Sequence, residues 1–289
     1  MTAMNKQESK FARATFDSSF KYLMLDEEVR LSFLRTFTGI EDIVEVSNYP
    51  ISVPPLKPGN VGTRRSTQRH MDFACRIRNG MIFIAEVQIE REDYWDARSL
   101  YYAAGVYSQQ LEAGDPWHML QNVMGIHILD HDSGTLTKSG DFEKHYVMTD
   151  RLHPNEEWPY IQIRQFEIPR ISFDLIPDGP KKQWLKIFKE SMTMDRIPSD
   201  FDPIIQKALG YLDKKKWSGQ LIEEYESEEL RLEKYQIVLK EQHDEGMKEG
   251  INEGIRAVAI NMLKEGDLLE KISRITGLSE KEIAALKAE

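Results

Sequence analysis

Apolar positions along the chain predict helices and strands in alternation. Over residues 16–37, Phe20, Leu23, Leu25, Leu31, Phe33 and Leu34 recur at roughly helical spacing, and Gly39 can end the helix. Residues 43–46 form a short strand candidate, and the Pro-, Gly-, Ser- and Thr-rich stretch 50–70 predicts a loop. Two alternating runs, 71–77 and 81–89, are divided by Asn79-Gly80, a strong hairpin signal. A helix is predicted over 94–112, closed by Gly114 and Pro116, followed by a strand over 121–129 and outer strands at 146–148 and 160–168. Beyond Pro180 the pattern is helical almost to the end. This order predicts an α/β core with a helical C-terminal region.

The hairpin has two competing registers. A two-residue Asn79-Gly80 turn would mix charged with large apolar residues on both faces. A three-residue loop, Arg78-Asn79-Gly80, with Gly80 left-handed at a bulge, sorts the faces cleanly. One face then holds Phe73, Cys75, Ile77, Met81, Phe83, Ala85 and Val87, and the other His70, Asp72, Ala74, Arg76, Ile82, Ile84, Glu86 and Gln88. A one-residue slip flips every side chain, so burial of the clean face selects the three-residue loop. Asp72 is then expected opposite Glu86, and His70 opposite Gln88.

Like charges directly opposed on a sheet are destabilising. A hard divalent ion would relieve the repulsion, because Mg²⁺ takes oxygen ligands from one or two carboxylates, phosphate and water. The competing reading is a partly buried salt bridge from one carboxylate to Arg76 or Arg98. Geometry alone leaves both open.

The tail carries Glu-Gly at 245–246, 249–250 and 253–254. Each glycine costs a helix interior about 1 kcal/mol relative to alanine. Close helix packing along the glycine stripe and a frayed connector are equal alternatives. Beyond it, Gly277 is placed to cap one helix, and Ser279 with Glu282 forms a capping box for the next. A partner-binding helical pair is preferred over a helix-turn-helix, since the second helix is short and not basic.

The chain has 289 residues and a formal charge of −10. From Gln220 to Glu289 there are 10 basic and 17 acidic residues, so most of the acidity sits in the tail and the body is nearly neutral. The charge therefore argues only weakly against DNA binding. Residues 57–69 hold Lys57, Arg64, Arg65 and Arg69 without an acid. No apolar run is long enough to span a membrane. With Cys75 as the single cysteine and a polar start to the sequence, a reducing cytoplasm is expected.

A helix, a strand with Asp72, a tight turn, a strand with Glu86-Val87-Gln88 and a second helix together resemble the PD-(D/E)XK nuclease core. More closely they resemble the Rpn family of recombination-promoting nucleases, also described as transposase-like. The resemblance rests on FDSSFKYLM at 16–24, MDFACRIRNGMIFIAEVQ at 71–88, RSLYYAAGVYSQQLEAGDPW at 98–117, and the tail motifs EGMKEGINEG and ITGLS. It implies a restriction-endonuclease-like core, a mixed sheet flanked by helices, over 1–180. A helical extension over 181–244 and the repeat-bearing tail over 245–289 would follow.

The implied activity is Mg²⁺- (or Mn²⁺-) dependent DNA endonuclease cleavage, linked to recombination, transposition or phage defence. Asp72, Glu86 and the carbonyl of Val87 would hold the metal. Gln88 stands where many members carry Lys and would orient the attacking water by hydrogen bonds, leaving the general base unassigned. Met71 stands where the family name would place Pro, which alters only the strand entry.

Asp17 and Lys21 are accessory candidates, although an N-cap role is preferred for Asp17. Arg98 and Tyr102, at i and i+4, share a helix face that brings Arg98 to a phosphate or to Glu86. Core packing is preferred for Tyr102. Arg64, Arg65 and Arg69 are candidate DNA-backbone contacts. His127 and His131 would stand about 13 Å apart along a strand, so a structural role is expected for both. The alternative to catalysis is an impaired nuclease-fold module that binds partners, or a second copy of the chain, through its helical tail.

Overall fold

The computed structural model describes residues 9–48, 73–78, 80–92, 94–131 and 141–286. It divides into two units, Met1–Glu228 and Glu229–Glu289.

In the first unit six strands form one mixed sheet: β1 (Val46–Asn48), β2 (Phe73–Ile77), β3 (Ile82–Gln88), β4 (Val123–Leu129), β5 (Glu143–Thr149) and β6 (Glu157–Glu167). Their spatial order is β1-β2-β3-β4-β6-β5. β3, β4 and β6 run parallel and the other pairings are antiparallel. Of the two strands expected at the outside, only β5 is an edge; β6 lies between β4 and β5.

The hairpin adopts the three-residue register. Phe73 pairs with Ala85, Cys75 with Phe83 and Arg76 with Ile82. Gly80, at φ 96°, donates its N–H to the Ile77 carbonyl at 2.8 Å, and the Ile77 N–H reaches the Met81 carbonyl at 3.0 Å. The positive φ is the reason a glycine stands there. Asp72, His70 and the basic residues Arg64, Arg65 and Arg69 lie outside the described residues.

The clean face of the hairpin is buried as expected: Cys75, Phe83, Ala85 and Val87 are almost fully covered. Burial pushes the Cys75 thiol up to about 12, which leaves it an inert core residue. In the row Val87–Ile128–Phe166 across the sheet, Phe166 meets Phe37, which joins Phe33, Trp184 and Phe188 in an aromatic cluster. The opposite face carries Ile82, Ile84 and Val123 against Tyr102, Ala103 and Val106 of helix α3 (Trp95–Ser108).

Residues 16–37 form two helices rather than one. α1 (Asp17–Leu23) stops, and α2 (Glu27–Thr38) begins at Asp26, whose carboxylate accepts the Val29 N–H at 3.1 Å. An N-cap requires extended backbone, so the helix must break there. α3 ends at Ser108, short of the expected 112. The Gln110 side chain makes two 2.8 Å hydrogen bonds with the Gln121 backbone and draws the chain toward β4.

Helix α6 (Gly219–Lys264), which follows α4 (Pro180–Glu190) and α5 (Pro203–Tyr211), is continuous through the glycine repeat. A Cβ added at Gly246, Gly250 or Gly254 would meet nothing within 4 Å. Among the described residues neither a break nor close packing therefore accounts for these glycines. In the second unit, Ala259 packs with Ile272 of α7 (Leu269–Thr276) and with Ile283 and Leu286 of α8 (Glu280–Leu286). Gly277 caps α7 at φ 75°. The Ser279 N–H reaches Glu282 Oε2 at 2.8 Å, and the Glu282 N–H reaches Ser279 Oγ at 3.3 Å. Among the described residues no helix is long and apolar enough to cross a membrane.

Candidate active site

Along the α3-covered face the sheet changes from apolar to polar toward the carboxyl ends of its parallel strands. The apolar row Ile82–Val123–Ile161 is followed by Ile84–Gly125–Ile163, and then by Glu86–His127–Gln165–Lys144. All four members of the last row are buried. Open α/β sheets bind ligands at this end of their strands.

Glu86 is only 5% exposed. Its Oε1 accepts from Arg98 Nη2 at 2.7 Å. Arg98 reaches this point because α3 starts beside the carboxyl end of β3 and presents Arg98 one turn before Tyr102. Its Nε donates to the Tyr102 hydroxyl at 2.9 Å, and Nη1 donates to Glu92 Oε1. The guanidinium also lies over the rings of Trp95 and Tyr102, at 5.1 and 5.2 Å. Burial disfavours its charge, but Glu92, Glu86 and Tyr102 outweigh that cost and push its pKa further up. The salt-bridge reading of Glu86 is thus realised with Arg98, while Arg76 is exposed.

Gln88 joins the same network. Its Nε2 donates to the Glu90 carbonyl at 2.8 Å and approaches Glu92 Oε1 at 3.4 Å. Val87 is buried on the other face of the sheet, against the α2 side. Tyr94, with φ 67°, turns the chain into α3 from the left-handed region that non-glycine residues rarely adopt.

His127 stands beside Glu86 on the neighbouring strand, with its ring 5.3 Å from Trp95. Gly125 leaves room for this ring: a Cβ there would come within 3.1 Å of His127 Nε2. Burial, helped by the Arg98 charge, pulls the His127 pKa down to about 3, so the imidazole is neutral. His131, just past the end of β4, is also buried. Among the described residues no three His, Cys, Asp or Glu side chains converge as a metal set.

Asp17 does not cap α1. It occupies the first helical position, Phe16 is the cap residue, and the Ser18 N–H is taken by Glu228 Oε1 at 3.0 Å. A residue already in helical conformation cannot present its side chain as a cap does. Asp17 and Lys21 line a cavity with Glu223, Glu224 and Glu228 of α6, to which no β3 residue contributes. Glu86, Gln88, Arg98 and Tyr102 are therefore brought together, and Asp17 and Lys21 lie with α6.

One participant was not singled out in the sequence: Glu92, which joins Arg98 to Gln88 and, in an acidic turn, gave no signal. His127, expected to be structural, neighbours Glu86.

The residues present suit a hard cation. Glu86 and Glu92 present carboxylate oxygens to one positive group, and a guanidinium fills that role. A family model described as PD-(D/E)XK nuclease family transposase matches residues 16–248. Comparisons with curated proteins and with solved structures return no match.

Proposed function

The chain belongs to the PD-(D/E)XK nuclease transposase family, and from that premise we propose that it is a divalent-metal-dependent DNA endonuclease acting through Glu86. The observation that carries this reading is a buried carboxylate at the carboxyl end of a parallel strand, in a polar row beneath an otherwise apolar helix. Asp72 immediately precedes Phe73, whose partner Ala85 immediately precedes Glu86. We take Asp72 as the second carboxylate on that chain adjacency, with the Val87 carbonyl completing the protein's share of a Mg²⁺ or Mn²⁺ site. When bound, such an ion polarises the scissile phosphate and lowers the pKa of the attacking water.

The chain's own groups do the positioning. Arg98 holds the Glu86 carboxylate oriented, and Glu92 with Tyr102 holds Arg98. Gln88 hydrogen-bonds without taking a proton, since an amide is not basic at neutral pH. Trp95 and His127 exclude bulk water beneath the carboxylate. Arg64, Arg65 and Arg69 are assigned to the DNA backbone on their charge, and Asp17 and Lys21 to an accessory role. We place the enzyme in the cytoplasm, in DNA breakage of the kind recombination, transposition or phage defence requires.

The test is plasmid cleavage in Mg²⁺, Mn²⁺, Ca²⁺ or EDTA, with Glu86→Ala alongside. Nicking or linearisation that needs Mg²⁺ or Mn²⁺ and vanishes in the variant supports the reading. No cleavage by folded wild type, with no heat of Mg²⁺ binding, overturns it in favour of the partner-binding module.

The tail supports a second role, self-association. Met247, Ile251 and Val258 are exposed on α6, and a Cβ on the glycines between and beside them would meet nothing among the described residues. Light scattering of the full chain and of a chain ending at residue 244 tests it; equal numbers of copies in both would refute it.

A further inference from the structure

Arg98 is held by three groups, only one of which is Glu86. The guanidinium spends Nη2 on Glu86, Nη1 on Glu92 and Nε on Tyr102, and rests against the rings of Trp95 and Tyr102. The two carboxylates differ in setting: the Glu86 side chain is 7% exposed and that of Glu92 is 40% exposed. Losing Glu86 would leave the guanidinium with a carboxylate, a hydroxyl and two ring faces at the more open end of the site. Losing Arg98 would instead take an opposite charge away from a buried carboxylate, which is the costlier event.

Position 88 sharpens the point. Gln88 brings no charge, and it touches the same Glu92 oxygen that Arg98 holds. Arg98, on α3, brings a positive charge against Glu86.

We propose that Arg98 is a resident counter-ion of the metal site: it neutralises Glu86 until a divalent ion claims that carboxylate, and Glu92 and Tyr102 then retain the displaced guanidinium within the site. This rests on the reading of Glu86 as a metal ligand. Arg98 is a positioning residue in this scheme and takes no part as acid or base. Metal binding then carries the penalty of breaking a charge-assisted hydrogen bond.

The experiment is Mn²⁺ titration by calorimetry, without DNA, of the full chain as wild type, R98Q and R98K. R98Q, which has no charge to expel, should bind Mn²⁺ about tenfold more tightly than wild type, as expected for losing one charge-assisted hydrogen bond from the competing state. R98K keeps the charge without the fork and should fall between them. Mn²⁺ at one fixed concentration should also raise the melting temperature of R98Q more than that of wild type. If R98Q folds poorly without metal, R98K carries the titration, and restoration of R98Q folding by Mn²⁺ counts in favour. Affinities equal within about twofold, or weaker in R98Q and R98K, overturn the proposal while leaving the metal site standing. Absence of Mn²⁺ binding in all three proteins, with no cleavage by wild type, removes the metal site and this role together.

Discussion

The Arg98 guanidinium lies 2.7 Å from Oε1 of Glu86 and is shared with Glu92. The pairing makes a buried carboxylate tolerable, because a carboxylate in the interior needs an opposite charge and hydrogen bonds.

That arrangement separates stability from activity at Glu86. In Glu86→Ala the guanidinium keeps Glu92 and Tyr102, so unfolding should be eased by only about 1–3 kcal/mol. Cleavage should fall by more than about 100-fold, beyond the loss usual for a group that merely supports a ligand. Urea melts beside plasmid assays check this; parallel loss of both would mean that Glu86 is a structural residue.

Gly80 controls the register that positions β3. Its φ of 96° is unfavourable for a residue with a Cβ, and an added Cβ would lie 2.0 Å from Gln121 Oε1. Gly80→Ala should destabilise by about 1–2 kcal/mol from the backbone alone. A chemical denaturation curve reads it, and an unchanged midpoint would contradict the assigned turn.

Asp26 makes the break between α1 and α2 pH-sensitive. Burial raises its pKa, but Lys207, the Val29 N–H and Tyr211 outweigh that and hold it below the ordinary value. A depressed folded-state pKa adds stability above the unfolded value, near about 3.9, that is lost as pH falls through the folded value. Asp26→Ala should therefore cost about 0.5–2 kcal/mol at pH 7, the range for losing such a cap. The gap from wild type should narrow below about pH 4. Melting temperatures from pH 7 to pH 3 test the sign.

The glycine stripe of α6 has a similarly direct test. No Cβ at Gly246, Gly250 or Gly254 would clash with the described residues. Replacing all three with alanine should raise helix stability by about 2–3 kcal/mol in the isolated chain, since each glycine costs about 1 kcal/mol. If a second copy packs there, the substitution should instead weaken association, seen as a concentration-dependent fall in mass.

Much of the hairpin was legible in the sequence because strand periodicity is local. The apolar set Phe73, Cys75, Phe83, Ala85 and Val87 allows one register, and Gly80 supplies the turn that goes with it. The Gly277 cap and the Ser279–Glu282 box were readable for the same reason: each spans only a few residues. The helix over 16–37 misled because the apolar spacing runs through Asp26, and only the cap geometry shows that the chain breaks there.

Local pattern determined which residues form strands and helices, and placed Glu86 and Gln88 on one hairpin face with Ile82 and Ile84. Tertiary structure decided what that face meets. Parallel pairing set His127 beside Glu86, β6 took an interior place, and α3 delivered Arg98 to Glu86 rather than leaving it to solvent. It also gave the Ser18 N–H to Glu228, some 210 residues away. Helix spacing left Arg98 a choice between a phosphate and Glu86, and the other contacts join residues far apart in the chain, which neither period nor spacing encodes. They follow from burying two faces of one sheet at once, which requires every strand and helix to be in place.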